Sequence, residues 1–337
     1  MNELERITSG ELAAAADLAV SQTARDRIED GMSANTRRAY DRQFRAFTEW
    51  CSAAGRSSMP ATAQTLAEYV SHMCDLDSGP SSIEQAIATI RTAHRLAGFE
   101  HQPDTAAARL VLRAHRRKRA EQGSRKRKAP PITLEILRSM IDATPVATEA
   151  GAVILAGLRD RALLVLGFAL MGRRSELAAL RIADVSETED GLEIVIRMSK
   201  TDQDAVGETV AIPRGTHADT DPVRVVRAWL AALAELGIAD GPLLRGINRH
   251  GQPGAAISVD GINRVVQAAA VRAAVPNAES ITAHSLRAGG ATAAYKAGAP
   301  VSVIAAHGRW AENSPVVLGY IRAVDKWKDN PMRGVGL

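Results

Sequence analysis

The feature that most constrains this chain is a cationic band at residues 113–128 that runs up against a pair of prolines. Arg113, Arg116, Arg117, Lys118, Arg119, Arg125, Lys126, Arg127 and Lys128 stand in it with Glu121 as the lone acid, a net of +8 in sixteen residues. Gly123-Ser124 interrupts the band and Ala129-Pro130-Pro131 closes it, residues that end helices and mark boundaries. No compact core absorbs that much like charge, because desolvation and self-repulsion both oppose it. The band therefore divides the chain into two separately folding parts, and 337 residues suffice for two domains at about 100 to 200 residues each.

Over the whole chain 42 Lys+Arg face 38 Asp+Glu, a formal net charge of only +4. With +8 held in the band, the remainder is a mildly acidic body at about −4. A solvated linker accounts for such a run. So does a strap lying along a phosphate backbone, where each neutralised phosphate releases counterions. Its place between two domains favours the strap.

Composition is 46% hydrophobic and 24% charged, well inside the range of folded globular chains. The longest uncharged apolar run, residues 162–172, has eleven residues, against about 20 for a membrane span, so it reads as a buried helix. Met1-Asn2-Glu3-Leu4-Glu5 lacks the basic and apolar regions of a secretory signal. A cytoplasmic, nucleoid-associated protein with no membrane contact is expected. Cys51 and Cys74 lie in apolar helical stripes without metal-ligand or disulfide spacing, so both read as core thiols, and no metal site is expected.

Residues 1–32 read as a mobile arm. From Ser33, a candidate N-cap, Tyr40, Phe44, Phe47 and Cys51 recur at the helical period. Leu66, Tyr69, Val70 and Met73 mark a second helix, and Ile83, Ile87, Ile90 and Ala97 a third behind Gly79-Pro80-Ser81. A fourth runs from about Asp104 into the band, so residues 33–115 are expected to form a helical bundle, 116–131 a basic linker and 132–337 a second domain with a C-terminal tail. That second domain reads as mainly helical around one β-hairpin, Ile194, Ile196 and Met198 pairing with residues 209–212 across a polar turn at 200–207. Helices are expected at 222–236, 258–270, 285–297, 300–306 and about 316–323.

Chemistry-bearing residues punctuate the second domain. They are Arg173 with Glu176, Lys200 in the hairpin turn, His284 with Arg287, Trp310 behind His307-Gly308-Arg309, and Tyr320. Each has a plain structural explanation alone: a surface ion pair, a solvated lysine, a helix cap, core aromatics. Together they are cations and donors accompanied by one candidate nucleophile. That set suits attack on a phosphodiester without a metal, since guanidinium forks match the charge that builds on non-bridging oxygens.

The order and wording of these motifs resemble the tyrosine recombinase (phage integrase) family, closest to its Cre-type site-specific recombinases. The matching text is Met171-Gly172-Arg173-Arg174-Ser175-Glu176-Leu177, Ser199-Lys200-Thr201, Ala283-His284-Ser285-Leu286-Arg287 and Gly319-Tyr320-Ile321-Arg322, and the likeness covers about residues 33–326. The family's Leu-Gly-His box is replaced by Ala306-His307-Gly308-Arg309-Trp310, and Trp310 is read as its donor in preference to His307. Tyr295, the competing tyrosine, follows too soon after Arg287.

The resemblance implies a mainly α fold, a four- to five-helix core-binding bundle followed by a mixed α/β catalytic domain. It implies that Arg173 and Arg287 clamp the scissile phosphate, His284 moves a proton, Lys200 protonates the leaving 5′-oxygen, Trp310 donates its indole N–H, and Glu176 orients its neighbours. Tyr320 would attack to give a 3′-phosphotyrosyl ester, with the surrounding cations helping its phenol lose a proton. No cofactor is implied. The implied partner is double-stranded DNA with inverted-repeat recombination sites, bound by a homotetramer on two sites, with accessory proteins left open. Arg37, Arg38, Arg42, Arg91, Arg116, Arg117, Lys118, Arg125, Lys126, Arg127 and Lys128 are the candidate DNA contacts. A type IB topoisomerase, a telomere resolvase and an inactive architectural DNA-binding protein remain as alternatives.

Overall fold

The computed structural model describes residues 34–124, 129–197, 207–311, 314–325 and 330–333, with single positions at Ser21, Thr23, Arg27, Gly31 and Val335. Most of the expected N-terminal arm, the Ser33 cap, Arg125, Lys126, Arg127, Lys128, Lys200 with most of its turn, and Trp327 of the tail lie outside the described residues. The chain separates into two compact units, Met1–Lys126 and Arg127–Leu337.

In the first unit, four helices follow the apolar stripes: α1 (Ala34–Ala53), α2 (Ala63–Asp75), α3 (Pro80–Leu96) and α4 (Ala106–Glu121). The Thr62 hydroxyl caps α2 by accepting from the Thr65 N–H at 3.1 Å, and Pro80 starts α3 where a missing N–H costs nothing. α1 packs on α3 and α2 on α4, burying Phe47, Leu66, Tyr69, Val70, Ile83, Ile90 and Leu112. The Tyr69 ring meets Phe47 edge-on with centroids 5.0 Å apart. Cys51 is buried in this core; Cys74 is half-buried against it. His94 is fully buried and spends both nitrogens locally, Nε2 accepting from the Ala61 N–H at 2.8 Å and Nδ1–H donating to the Ile90 carbonyl at 2.7 Å.

Helix α4 runs into the basic band as far as Glu121, so Arg116, Arg117 and Lys118 are helical. Two causes are visible. The segment is rich in the strong helix formers Ala, Arg and Lys. Its far end is also tied to the α2–α3 turn, where His115 Nε2–H donates to the Ser78 carbonyl at 2.9 Å and Arg119 pairs with Asp77. The helix stops where Gly123 takes a left-handed φ of 76°.

The second unit is mostly helical around two small sheets. Its elements are α5 (Leu134–Asp142), α6 (Leu155–Ala169), α7 (Arg174–Ala179), β1 (Val185–Glu187), β2 (Gly191–Ile196), β3 (Glu208–Pro213), α8 (Pro222–Glu235), β4 (Arg245–Ile247), β5 (Pro253–Ala256), α9 (Val259–Arg272), α10 (Ala283–Lys296), α11 (Val301–His307) and α12 (Pro315–Asp325). The expected hairpin is β2 and β3, and β1 extends it to a three-stranded antiparallel sheet in the order β1-β2-β3. Leu192↔Ile212 and Ile194↔Val210 pair across it and turn their side chains into the core. The β4–β5 hairpin is an addition to the single hairpin expected.

The apolar run becomes α6, which is buried nearly all round and packs on α8 and α10. Burying Leu163, Leu164 and Leu166 completely contributes roughly 1.5–3 kcal/mol each. Trp229 on α8 is also fully buried, and its indole N–H donates to the Leu243 carbonyl at 2.8 Å. A separate apolar cluster, Met171, Ala291, Ile304, Ala305, Val317 and Ile321, seats α11 and α12 against α10. That cluster brings Tyr320 up to the residues of α10.

Candidate active site

Arg173 stands at the N-cap of α7, and Glu176 three residues on turns back to it. The Glu176 carboxylate accepts from the Arg173 backbone N–H (Oε2, 2.8 Å) and from its Nη1 (Oε1, 2.6 Å). This is no surface ion pair, since Glu176 is only 4% exposed. A third group completes it: Arg309, in the turn after α11, donates from Nη2 to Oε2 at 2.9 Å. Burial pushes the Glu176 carboxyl up, but the Arg309 charge and the Arg173 hydrogen bonds outweigh it and hold it below the usual carboxylate range.

Arg287 projects from α10 into the same place and is 2% exposed. Its Nη1 donates to the Met171 carbonyl and its Nη2 to the Gly308 carbonyl at 2.6 Å, while its guanidinium lies 3.8 Å over the Trp310 ring. The indole reaches that position because Gly308 has no side chain: a β-carbon there would lie 1.8 Å from Trp310. Burial first, then the Arg173 charge, bring Arg287 down to about 9. It stays charged at neutral pH.

Tyr320 on α12 completes the group. Its hydroxyl stands 2.6 Å from His284 Nε2 on α10, and its ring meets Trp310 edge-on at 6.1 Å. Desolvation raises the phenol's pKa by more than the Arg287 charge lowers it, so the cation supplies only part of the help the phenol needs. The phenol must hand its proton to a base. His284 keeps an exposed edge, yet partial desolvation of its ring, followed by the charges of Arg287 and Arg174, lowers its pKa. A neutral imidazole with Nε2 unprotonated can accept that proton.

The structure thus gathers Arg173, Glu176, His284, Arg287, Trp310 and Tyr320. His307 is turned elsewhere, Nε2–H donating to the Ala169 carbonyl at 2.8 Å. Tyr295 sits in the last turn of α10, against the Met171–Ile304 cluster. Arg174 faces Asp260 on α9 at 3.7 Å. Arg309 is a member of the site that the sequence motifs do not single out. Its one sequence signal is a charged residue where the family's box carries glycine, and its burial depends on partners far away in sequence. Met171 and Arg309 both hold left-handed φ values, 48° and 56°, a strain of about 1–3 kcal/mol each that tends to gather at functional sites.

In the first unit, Arg38 and Arg42 are exposed on α1, and Arg37 and Arg91 are half-buried. A groove between α3 and α4 is lined by Arg91, Arg109, Arg113 and Arg116, with Arg116 paired to Glu84 at 2.5 Å. Arg117 and Lys118 are exposed on α4. Among the described residues, no helix is long and apolar enough to cross a membrane.

A helical bundle joined to a helical domain with a small antiparallel sheet is the fold of DNA-bound integrases. The chain resembles a lambda integrase dimer bound to a COC′ core site (TM-score 0.55, 15% identity, 90% of this chain and 95% of that one). It resembles equally the Tn1549 transposon integrase in complex with transposon right-end DNA (TM-score 0.55, 14% identity, 90% and 96%). Residues 27–100 match the phage integrase N-terminal SAM-like domain. An integrase/recombinase XerD homologue of Selenomonas ruminantium is 33% identical over 230 residues, and the recombinase Cre of Escherichia phage P1 is 24% identical over 298. The aligned region spans 68% of this chain and 64% of the Selenomonas protein, and 83% and 82% for the phage protein. In sequence and in fold the chain is similar to tyrosine recombinases, and it spans a little under two thirds of the Selenomonas relative's length.

Proposed function

We propose that this chain is a site-specific DNA recombinase that cuts and rejoins strands through a phosphotyrosyl ester on Tyr320. The observation that carries the reading is the 2.6 Å approach of the Tyr320 hydroxyl to His284 Nε2 beside the buried Arg287 and the half-buried Arg173. Tyr320 oxygen attacks the scissile phosphorus while its proton passes to His284. The bond to the 5′-oxygen breaks, and Lys200 supplies that oxygen's proton. Arg173, Arg287 and the Trp310 N–H face the non-bridging oxygens, whose negative charge grows as the nucleophile adds. These cations do the work a metal does elsewhere, and the ester keeps the energy of the phosphodiester, so neither metal nor ATP is required. Attack by a 5′-hydroxyl from a second duplex reverses the step and exchanges strands.

The names of the relatives support recombination over relaxation, and a lambda integrase tetramer bound to a Holliday junction shares the fold (TM-score 0.55). Exchange between two inverted-repeat sites by four protomers is the corresponding arrangement for this chain. Arg37, Arg38, Arg42, Arg91, Arg116, Arg117, Lys118, Arg125, Lys126, Arg127 and Lys128 are its proposed DNA contacts, with the exposed cations of α4 nearest the centre of the basic band. The test is a plasmid carrying two copies of a site selected by the protein, incubated with EDTA and without nucleotide. Recombinant circles support the reading; relaxed plasmid alone points to a topoisomerase, hairpin ends to a telomere resolvase, and binding without breakage to an architectural protein.

A further inference from the structure

Arg309 occupies a position that is doubly unfavourable for the fold alone. Its backbone is left-handed, with φ 56°, a region where a residue with a β-carbon is strained. Its charged side chain is only 4% exposed, and burying a cation costs desolvation that a single partner rarely offsets. Glycine would satisfy the turn without either cost.

What the arginine adds is a set of hydrogen bonds to the phosphate clamp. Nη2 donates to Glu176 Oε2 at 2.9 Å and to the Leu170 carbonyl at 3.1 Å, and Nη1 to the His307 carbonyl at 2.9 Å. The turn it anchors then meets both clamp arginines through its backbone. The Arg309 carbonyl accepts from Arg173 Nη2 at 2.8 Å, and the Gly308 carbonyl from Arg287 Nη2 at 2.6 Å. Arg173 Nη1 binds the other Glu176 oxygen at 2.6 Å. The carboxylate is thus gripped at both ends, and each clamp guanidinium is held by a rigid acceptor. Two guanidiniums, those of Arg173 and Arg309, share the one Glu176 carboxylate, and Arg287 adds a third positive charge to the site.

We propose that Arg309 is a positioning residue of this clamp: through Glu176 and the carbonyls of its own turn it sets the guanidinium planes of Arg173 and Arg287 for the non-bridging oxygens of a phosphodiester. The assignment rests on the strand-cleavage reading, in which those oxygens belong to the scissile phosphate.

The test uses the full chain. Nicked duplexes with a randomised core are incubated with the unaltered protein, denaturant-resistant protein–DNA adducts are sequenced, and the consensus duplex becomes the substrate. It is made in ordinary form and with sulfur replacing either non-bridging oxygen at the cleaved phosphate. Arg309→Gly, Arg309→Lys and the double variant Arg309→Gly/Glu176→Gln are compared. The double variant leaves no unpaired buried carboxylate and carries the test if Arg309→Gly does not fold by circular dichroism. Arg309→Gly is expected to keep duplex affinity within about threefold, to slow single-turnover cleavage ~100-fold, and to bring the oxygen-to-sulfur rate ratio toward one, with Arg309→Lys recovering about tenfold. A merely structural role would lower the rate while leaving that ratio as it is in the unaltered protein. An unchanged ratio, or an unchanged rate, overturns the assignment alone; failure of the unaltered protein to form any adduct overturns the strand-cleavage reading and the assignment with it.

Discussion

The Tyr320 hydroxyl on α12 lies 2.6 Å from Nε2 of His284 on α10, and the two groups are shifted in opposite directions. Burial holds the phenol protonated, while partial desolvation and the charges of Arg287 and Arg174 hold the imidazole neutral. A resting phenolate is disfavoured, so proton transfer accompanies attack. Cleavage should therefore stay flat as pH falls through the ordinary imidazole value of 6.5 and decline only below it, as His284 takes up a proton. Removing a neighbouring positive charge favours the imidazolium and raises that pKa. Arg174→Ala should then move the acid limb of the pH–rate profile to higher pH, measured at saturating DNA. A limb unmoved by this change would assign the proton acceptor elsewhere.

Glu176 holds Arg173 and Arg309 together. Glu176→Ala strands the buried Arg309 guanidinium and the half-buried Arg173 and should cost about 3–5 kcal/mol in urea unfolding. Because its folded pKa lies below the ordinary value, Glu176 contributes stability that is present above pH 4.5 and is lost as pH falls through the folded value. Glu176→Gln should flatten the acid side of the stability–pH curve. An equally steep curve would mean that other carboxylates set it.

Helix α10 carries both His284 and Arg287, and its placement depends on close backbone approach. A β-carbon on Gly289 would lie 2.1 Å from the Ile132 carbonyl oxygen, which cannot yield as a flexible side chain can. Gly289→Ala should destabilise the second unit by about 1–3 kcal/mol through overpacking, and cleavage should fall further than stability alone explains. Thermal melts alongside cleavage rates separate the two effects.

Much of this is legible in the sequence. Phe44, Phe47 and Cys51 recur at helical spacing because a single buried face fixes the period, and the run around Leu163 is apolar all round because α6 is enclosed. Arg173, His284, Arg287 and Tyr320 can be read because their chemistry demands particular residue types in a particular order. The strands that escape such a reading are too short to show a period: β1 has three residues, and β4 and β5 contain Gly246 and Gly254. The extension of α4 depends on ties to Asp77 and Ser78. Arg309 is hidden for a related reason, since only tertiary structure shows that a turn arginine points inward at a carboxylate 133 residues away.

The basic band makes a separate electrostatic prediction. Replacing Lys126, Arg127 and Lys128 with alanine should flatten the dependence of log affinity on log salt by about 0.9 for each phosphate those side chains neutralise. A slope identical to that of the unaltered protein would show that these cations are solvated when DNA is bound.

Strand exchange by this route requires a covalent bond between Tyr320 and DNA. The most direct measurement is to trap the protein on a nicked duplex carrying its selected site, resolve the products in SDS, and map the DNA-bearing peptide by mass spectrometry. The expected result is an SDS-resistant adduct on the peptide containing Tyr320, retained in Tyr295→Phe and absent in Tyr320→Phe. An adduct that survives Tyr320→Phe would contradict the account.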